Sequence, residues 1–251
     1  MSNSSLVNYT KISPNKTSPR NHKIDTVSIH CAVGQFTAKE LLNLKHFITK
    51  DSKNGASCNY AIGYDGSIGM GVEEKDRSWC TSSRSNDHRA ITIEVASDTK
   101  HPYTVTDEAY KALIKLLVDI CKRNSIKELK WKADKSLIGQ VDKQNMTVHR
   151  WFANKACPGD YLYKRHGQIA AEVNEFLSEK QKAPKTYRVE VTINNLNIRK
   201  GPGTNYAKTG KFTGKGTFTI IDTKNGTGSK KGWGKLRSGA GWISLDFATK
   251  I

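Results

Sequence analysis

The spacing of apolar residues changes character once along this chain, near residue 180, and that change limits what the chain can fold into. Before it, helical and strand periodicities alternate. The segment DEAYKALIKLLVDICKRN places Ala109, Ala112, Leu113, Leu116, Leu117 and Ile120 on one stripe at i, i+3, i+4 and i+7, with Thr106 positioned to cap it. Thr37 to Glu40 reads as a capping box opening a helix over ELLNLKHFI. A third helix is expected from about Asp160 to Lys180, burying Ile169, Ala170, Val173, Phe176 and Leu177. TVSIHC, NYAIGY, SIGMGV and AITIEV read as short strands, with YAIGYDGSIGMG forming a hairpin that turns at Asp65-Gly66. This half predicts an α/β layer fold. After the change no helical stripe survives. VEVTINNLNIRKG, GTFTIIDTK, WGKLR and GAGWISLDFA are short β runs between glycine-rich turns, the pattern of a small all-β barrel.

The polar, proline-bearing stretch SEKQKAPKT lies between the halves, so the expected organisation is a domain over 1–178, a linker over 179–187 and a small domain over 188–251. A length of 251 residues fits two domains. No apolar run reaches the ~18–20 residues a membrane helix needs, and the N-terminus has no apolar signal core. The expectation is no membrane insertion and a protein that starts in the cytoplasm. The formal charge is +18, which predicts an anionic partner. From Thr186 onward 12 basic residues face three acids, so the small domain holds half the excess and is expected to be the binding part. No nucleic-acid reader motif accompanies the charge, and no nucleic acid is expected.

Five cysteines, an odd number without CxxC pairing, predict free thiols rather than a disulfide framework. Two of seven histidines stand at the ends of short apolar runs: His30 in VSIHCAVG and His149 in VHRWFANKACPGD, the latter followed eight positions on by Cys157. Imidazole and thiolate are zinc donors, and two histidines, a cysteine and water form a known open set. By residue type alone, two satisfied histidines and a buried thiol account for the same residues.

VSIHCAVG, SCNYAIGYDGSI, DRSWC, AITIEV and VHRWFANKACPGD, in that order, resemble the zinc-dependent N-acetylmuramoyl-L-alanine amidases, whose fold is shared with peptidoglycan recognition proteins. The resemblance covers roughly residues 24–178. It implies a mixed central β-sheet flanked by helices, the amidase type 2 fold. It also implies Zn2+ held by His30, His149 and Cys157, with Lys155 stabilising the transition state. Glu94, the only acid in ITIEV, matches a glutamate used as catalytic acid or base in several branches of the family. The chain departs from the pattern at Cys58, where other branches carry a tyrosine, and at Cys80, where a histidine usually follows the tryptophan. Tyr60 is expected to pack in the sheet rather than react. NIRKGPGTNY and the sequence after it resemble a bacterial SH3-like domain over 188–251, in which Trp233, Tyr206 and Trp242 are groove candidates. Together these imply a peptidoglycan hydrolase of the phage endolysin kind, waiting in the host cytoplasm until release to the wall. Its partners would be bacterial peptidoglycan and associated anionic wall polymers. The rivals are a host autolysin, a non-catalytic peptidoglycan-binding protein on the same fold, and a cysteine peptidase using Cys157.

Overall fold

The structure, a computed structural model, describes residues 2–181 and 186–251. These fall into two compact units, Met1–Ser178 and Glu179–Ile251. The first contains strands β1 (Tyr9–Thr10), β2 (Lys16–Thr17), β3 (Thr26–Cys31), β4 (Tyr60–Ile62), β5 (Ile68–Met70), β6 (Arg77–Ser78), β7 (Ala90–Val95) and β8 (Met146–Thr147). Its helices are α1 (Ala38–Leu42), α2 (Lys45–Ile48), α3 (Arg84–Arg89), α4 (Asp107–Arg123) and α5 (Gly159–Gln181), the last of which runs past the Ser178 boundary. Six strands form a mixed sheet in the order β1-β5-β4-β7-β3-β8, while β2 pairs with β6 apart from it. Only β4 and β5 run antiparallel within the large sheet. They are the expected hairpin, and Gly66 turns it at φ 78°.

Strand alternation sorts the two faces of the sheet. Val27, Ile29 and Cys31 of β3 and Ile91, Ile93 and Val95 of β7 point to one side. There they pack with Leu113, Leu116, Leu117 and Ile120 of α4 and with Ile169, Ala170, Val173 and Leu177 of α5. Each wholly buried leucine contributes roughly 2 kcal/mol over exposure, and this tertiary burial holds α4. Its start is capped as expected, the Ala109 amide donating to Thr106 Oγ1. Phe176, expected in this core, sits at the edge of the α5 stripe and is 49% exposed. On the other face Ala38, Leu41, Leu42, Phe47, Cys58 and Ala61 form a smaller core.

Two further expectations are corrected. The capping box at Thr37 and Glu40 is present, yet the helix it opens ends at Leu42, and a separate helix covers Lys45–Ile48. Asn43 makes the break: its side-chain amide donates to the Lys39 carbonyl and to Tyr9 Oη instead of continuing the helix. The linker expected over 179–187 has structured ends, because α5 continues to Gln181 and a strand begins at Tyr187; residues 182–185 lie outside the described residues.

The N-terminal stretch, unassigned from sequence, is built into the first unit. Arg20 is buried and donates to the carbonyls of Glu74, Asp76, His88 and Ala90. The second unit contains β9 (Tyr187–Val191), β10 (Asn197–Arg199), β11 (Lys208–Phe212), β12 (Gly216–Lys224), β13 (Trp233–Leu236), β14 (Trp242–Ser244) and β15 (Ala248–Lys250). They form one antiparallel sheet in the order β11-β10-β14-β13-β12-β9-β15 around a core of its own, including Val189, Ile198, Ile220 and Ile243. No helix among the described residues is long and apolar enough to cross a membrane.

Candidate metal centre

Parallel pairing of β3 with β7 sets His30 beside Glu94. Both belong to the alternate, polar set of their strands, with Ser28 and Thr92, so the rule that buries Ile29 and Ile93 under the helices aims these two the other way. His30 is wholly buried. Its Nδ1 lies 3.8 Å from Glu94 Oε1 and 3.3 Å from Cys157 Sγ. On the opposite side of the ring, Nε2 is 3.3 Å from Ser28 Oγ, whose hydroxyl donates to the Thr147 carbonyl. That hydroxyl therefore accepts from Nε2–H, which leaves the Nδ1 lone pair facing Cys157.

His149 opens a short 3₁₀ turn directly after β8, with its ring centroid 5.2 Å from that of His30. Its Nε2 is 3.0 Å from Ser82 Oγ. Ser82 stands in the left-handed region, φ 61°, in a loop pinned by the buried carboxylate of Asp87, which accepts from the amides of Cys80 and Thr81. Cys157 is held on the opposite flank, its carbonyl accepting from the Arg150 amide while Arg150 Nη2 reaches the Ala156 carbonyl and Asp160. One ligand atom from each of His30, His149 and Cys157 lies within 4.8 Å of the others.

Electrostatics suit a cation here. Burial drives the His30 imidazole down to about 3, and burial with the nearby Lys155 charge also lowers His149, so both rings are neutral donors. Burial pushes the Cys157 thiol upward, which makes a bare thiolate costly and a cation-paired one favourable. Burial is likewise the main cause that pushes the Glu94 carboxyl up to about 8. Its Oε2 is buried without a partner among the described residues. Two imidazoles and one thiol fit zinc with an open coordination position, and the unpaired Glu94 oxygen lies beside them.

A cleft of about 620 Å³ opens over this cluster, lined among others by Trp79, Cys80, Ser82, Arg84, His149 and Lys155. A larger cleft of about 750 Å³, between residues 128–143 and α5, contains none of these donors, so size alone would choose the wrong place. A profile described as N-acetylmuramoyl-L-alanine amidase matches residues 20–160, more than half the chain. The chain belongs to that family. Among solved structures it is similar to PlyL, at 16% identity over 66% of this chain and 95% of that one, with a TM-score of 0.45. The Se-Met AmpD derivative gives 18% identity, coverage of 66% and 96%, and a TM-score of 0.48. The endolysine N-acetylmuramoyl-L-alanine amidase LysCS from Clostridium intestinale URNW gives 18%, 67% and 93%, with a TM-score of 0.43. No curated protein matches the chain.

In this amidase-family chain the five residues singled out in the sequence are placed as follows. His30, His149, Cys157 and Glu94 converge, while Lys155 is exposed on the rim of the cleft. Tyr60 is wholly buried on the α4 side, donating to Glu74 Oε1 at 2.6 Å, and Cys58 is buried in the smaller core. Neither supplies a reactive hydroxyl. Cys80 donates from Sγ to Glu94 Oε1 at 3.7 Å, and with His30 and Glu94 it forms a second, overlapping donor group. Ser28, Ser82 and Cys80 were missed as parts of the site. Ser28 was findable, two positions before His30 on the same strand face; Ser82 was not, because its contact spans a loop.

Proposed function

We propose that this chain is a zinc-dependent N-acetylmuramoyl-L-alanine amidase that hydrolyses the bond between N-acetylmuramic acid and L-alanine in bacterial peptidoglycan. The observation that carries the reading is the convergence of His30, His149 and Cys157 on one point beside Glu94. Zinc bound there would acidify a water and polarise the scissile carbonyl. Ser28 holds His30 in the tautomer that presents Nδ1. A Glu94 carboxyl poised near neutrality takes a proton from the attacking water and returns it to the departing amine. Lys155 supplies positive charge at the cleft rim, where the carbonyl oxygen becomes negative. The C-terminal unit, read as SH3-like, holds the enzyme on the wall, and the pairing of the two is that of an endolysin released from a host cytoplasm.

One observation favours a second reading. The 3.3 Å contact of Cys157 Sγ with His30 Nδ1 is also what a thiol nucleophile and its base would make. Metal analysis combined with mass spectrometry of digested wall separates the two. The amidase should hold about one zinc per chain, lose lysis on chelation and regain it with added zinc. It should free L-alanine amino groups without new reducing ends. Full activity in metal-free protein would overturn the zinc mechanism, and new reducing ends would overturn the assignment.

A further inference from the structure

The Glu94 carboxylate accepts one hydrogen bond among the described residues, from Cys80 Sγ to Oε1 at 3.7 Å. His30 Nδ1, 3.8 Å from the same oxygen, faces it with a lone pair and donates nothing, because the ring proton sits on Nε2. Oε2 is buried with no partner among the described residues. Buried carboxylate oxygens are nearly always paired, and one left bare is drawn to any cation nearby. The place for that cation is adjacent. Donor atoms of His30, Cys80 and Glu94 lie within 4.8 Å of one another, in a group that shares His30 with the His149 and Cys157 set. Zinc takes carboxylate oxygen as well as imidazole and thiolate. The position that lets Glu94 act as a base therefore also lets it become a ligand, and an oxygen bound to metal is a poor acceptor for the proton of water.

Cys80 is placed to decide between these outcomes. The residue before it is tied to Ser57 twice, the Trp79 amide donating to Ser57 Oγ and the Ser57 amide to the Trp79 carbonyl. The amides of Cys80 and Thr81 donate to the buried Asp87 carboxylate. The backbone is thereby fixed on both sides of the thiol. The side chain packs against the smaller core that contains Cys58 and Ala61, and the residue also lines the cleft. A thiol suits that position, since it is nearly apolar toward the core yet has one weak donor for the carboxylate. An ionised carboxylate oxygen has two lone pairs, so an S–H at Oε1 leaves one of them for water.

We propose that Cys80 is a positioning residue for Glu94: its S–H donates to Oε1 and keeps the carboxylate a base for the attacking water instead of a further metal ligand. The proposal rests on the amidase reading. Its first test needs no turnover. Infrared difference spectra of the zinc-loaded full chain against its Cys80→Ser variant isolate the Cys80 S–H stretch. Recorded in the native and the Glu94→Gln backgrounds, that band should lie at higher frequency in the second, where the acceptor has lost its charge. A missing band in the zinc-loaded native chain would make Cys80 a thiolate ligand, and a band indifferent to Glu94→Gln would mean no bond; either overturns the proposal. The second test follows turnover of solubilised wall fragments. Cys80→Ala should lower kcat roughly tenfold at unchanged KM, with zinc held at least as tightly, and Cys80→Ser, which restores a donor, should recover most of the loss. Native turnover in Cys80→Ala, or zinc lost along with activity, also overturns it. A zinc-loaded native chain that frees no L-alanine amino groups sinks the amidase reading and this proposal with it. A chain that frees them while the Cys80 band ignores Glu94→Gln sinks this proposal alone.

Discussion

The donor atom His30 offers is decided two positions away, at Ser28. Its hydroxyl is committed to the Thr147 carbonyl and so accepts from His30 Nε2–H. Ser28→Ala removes that acceptor and leaves a buried N–H unpaired. Zinc affinity, measured by competition with a chromophoric chelator, should fall roughly 10–100-fold with the fold intact. Glu94 and Lys155 predict a different signature. Glu94→Gln and Lys155→Ala should keep their metal and their unfolding transition but lose turnover of wall by roughly 10²-fold or more. If either variant instead lost zinc together with activity, its assignment to proton transfer or oxyanion stabilisation would be wrong. Tyr60 packs in the sheet as expected, its hydroxyl spent on Glu74, while Cys58, at the position where other branches carry a tyrosine, is sealed in the smaller core.

At the scale of elements, α5 contains a titratable group that serves the fold. His166 is wholly buried, its Nδ1–H donating to the Leu162 carbonyl at 2.7 Å and its ring 4.5 Å from that of Trp131. Burial lowers it from 6.5 to about 4, so the folded chain keeps it neutral where the unfolded chain takes a proton. Its contribution is therefore present above about 6.5 and is lost as pH falls toward 4, by up to about 3 kcal/mol. His30 is depressed in the same window, so the measurement is a difference. Urea midpoints at pH 7 and pH 5 should separate more for the native chain than for His166→Phe, which keeps a ring against Trp131; equal separations would remove His166 from the pH response. The elements themselves were largely legible. TVSIHC and AITIEV form strands over the expected residues, and Thr106 opens α4. Where reading failed, a tertiary contact overrode the local pattern: Asn43 turning to Tyr9 split one helix into two, and pairing with β5 and β6 made strands of an N-terminus that shows no periodicity.

For the whole molecule, the two compact units have separate cores, which predicts that each folds without the other. A fragment of residues 186–251 should sediment with purified wall at low salt. Part of that attachment should fade as salt screens its net +9, and the part due to a specific cleft should persist. Tethering would then raise the concentration of the first unit at its substrate. A folded fragment that stays in the supernatant at low salt would end the targeting role. The sequence by itself determined the strands TVSIHC and AITIEV, the buried stripe and cap of α4, and where the all-β half begins. Those properties are local, written in periods of 2 and 3.6 residues. Spacing sets Cys157 eight positions after His149, and the family resemblance joins His30 to them. Only the tertiary structure decided that Cys157 Sγ comes within 3.3 Å of His30 Nδ1 across 127 positions, that Cys80 joins the same cluster, that Ser82 reaches His149 across 67, and that Trp233 Nε1 is buried without an acceptor among the described residues. Contacts closed over such distances depend on how sheets and helices pack, and no local periodicity encodes them.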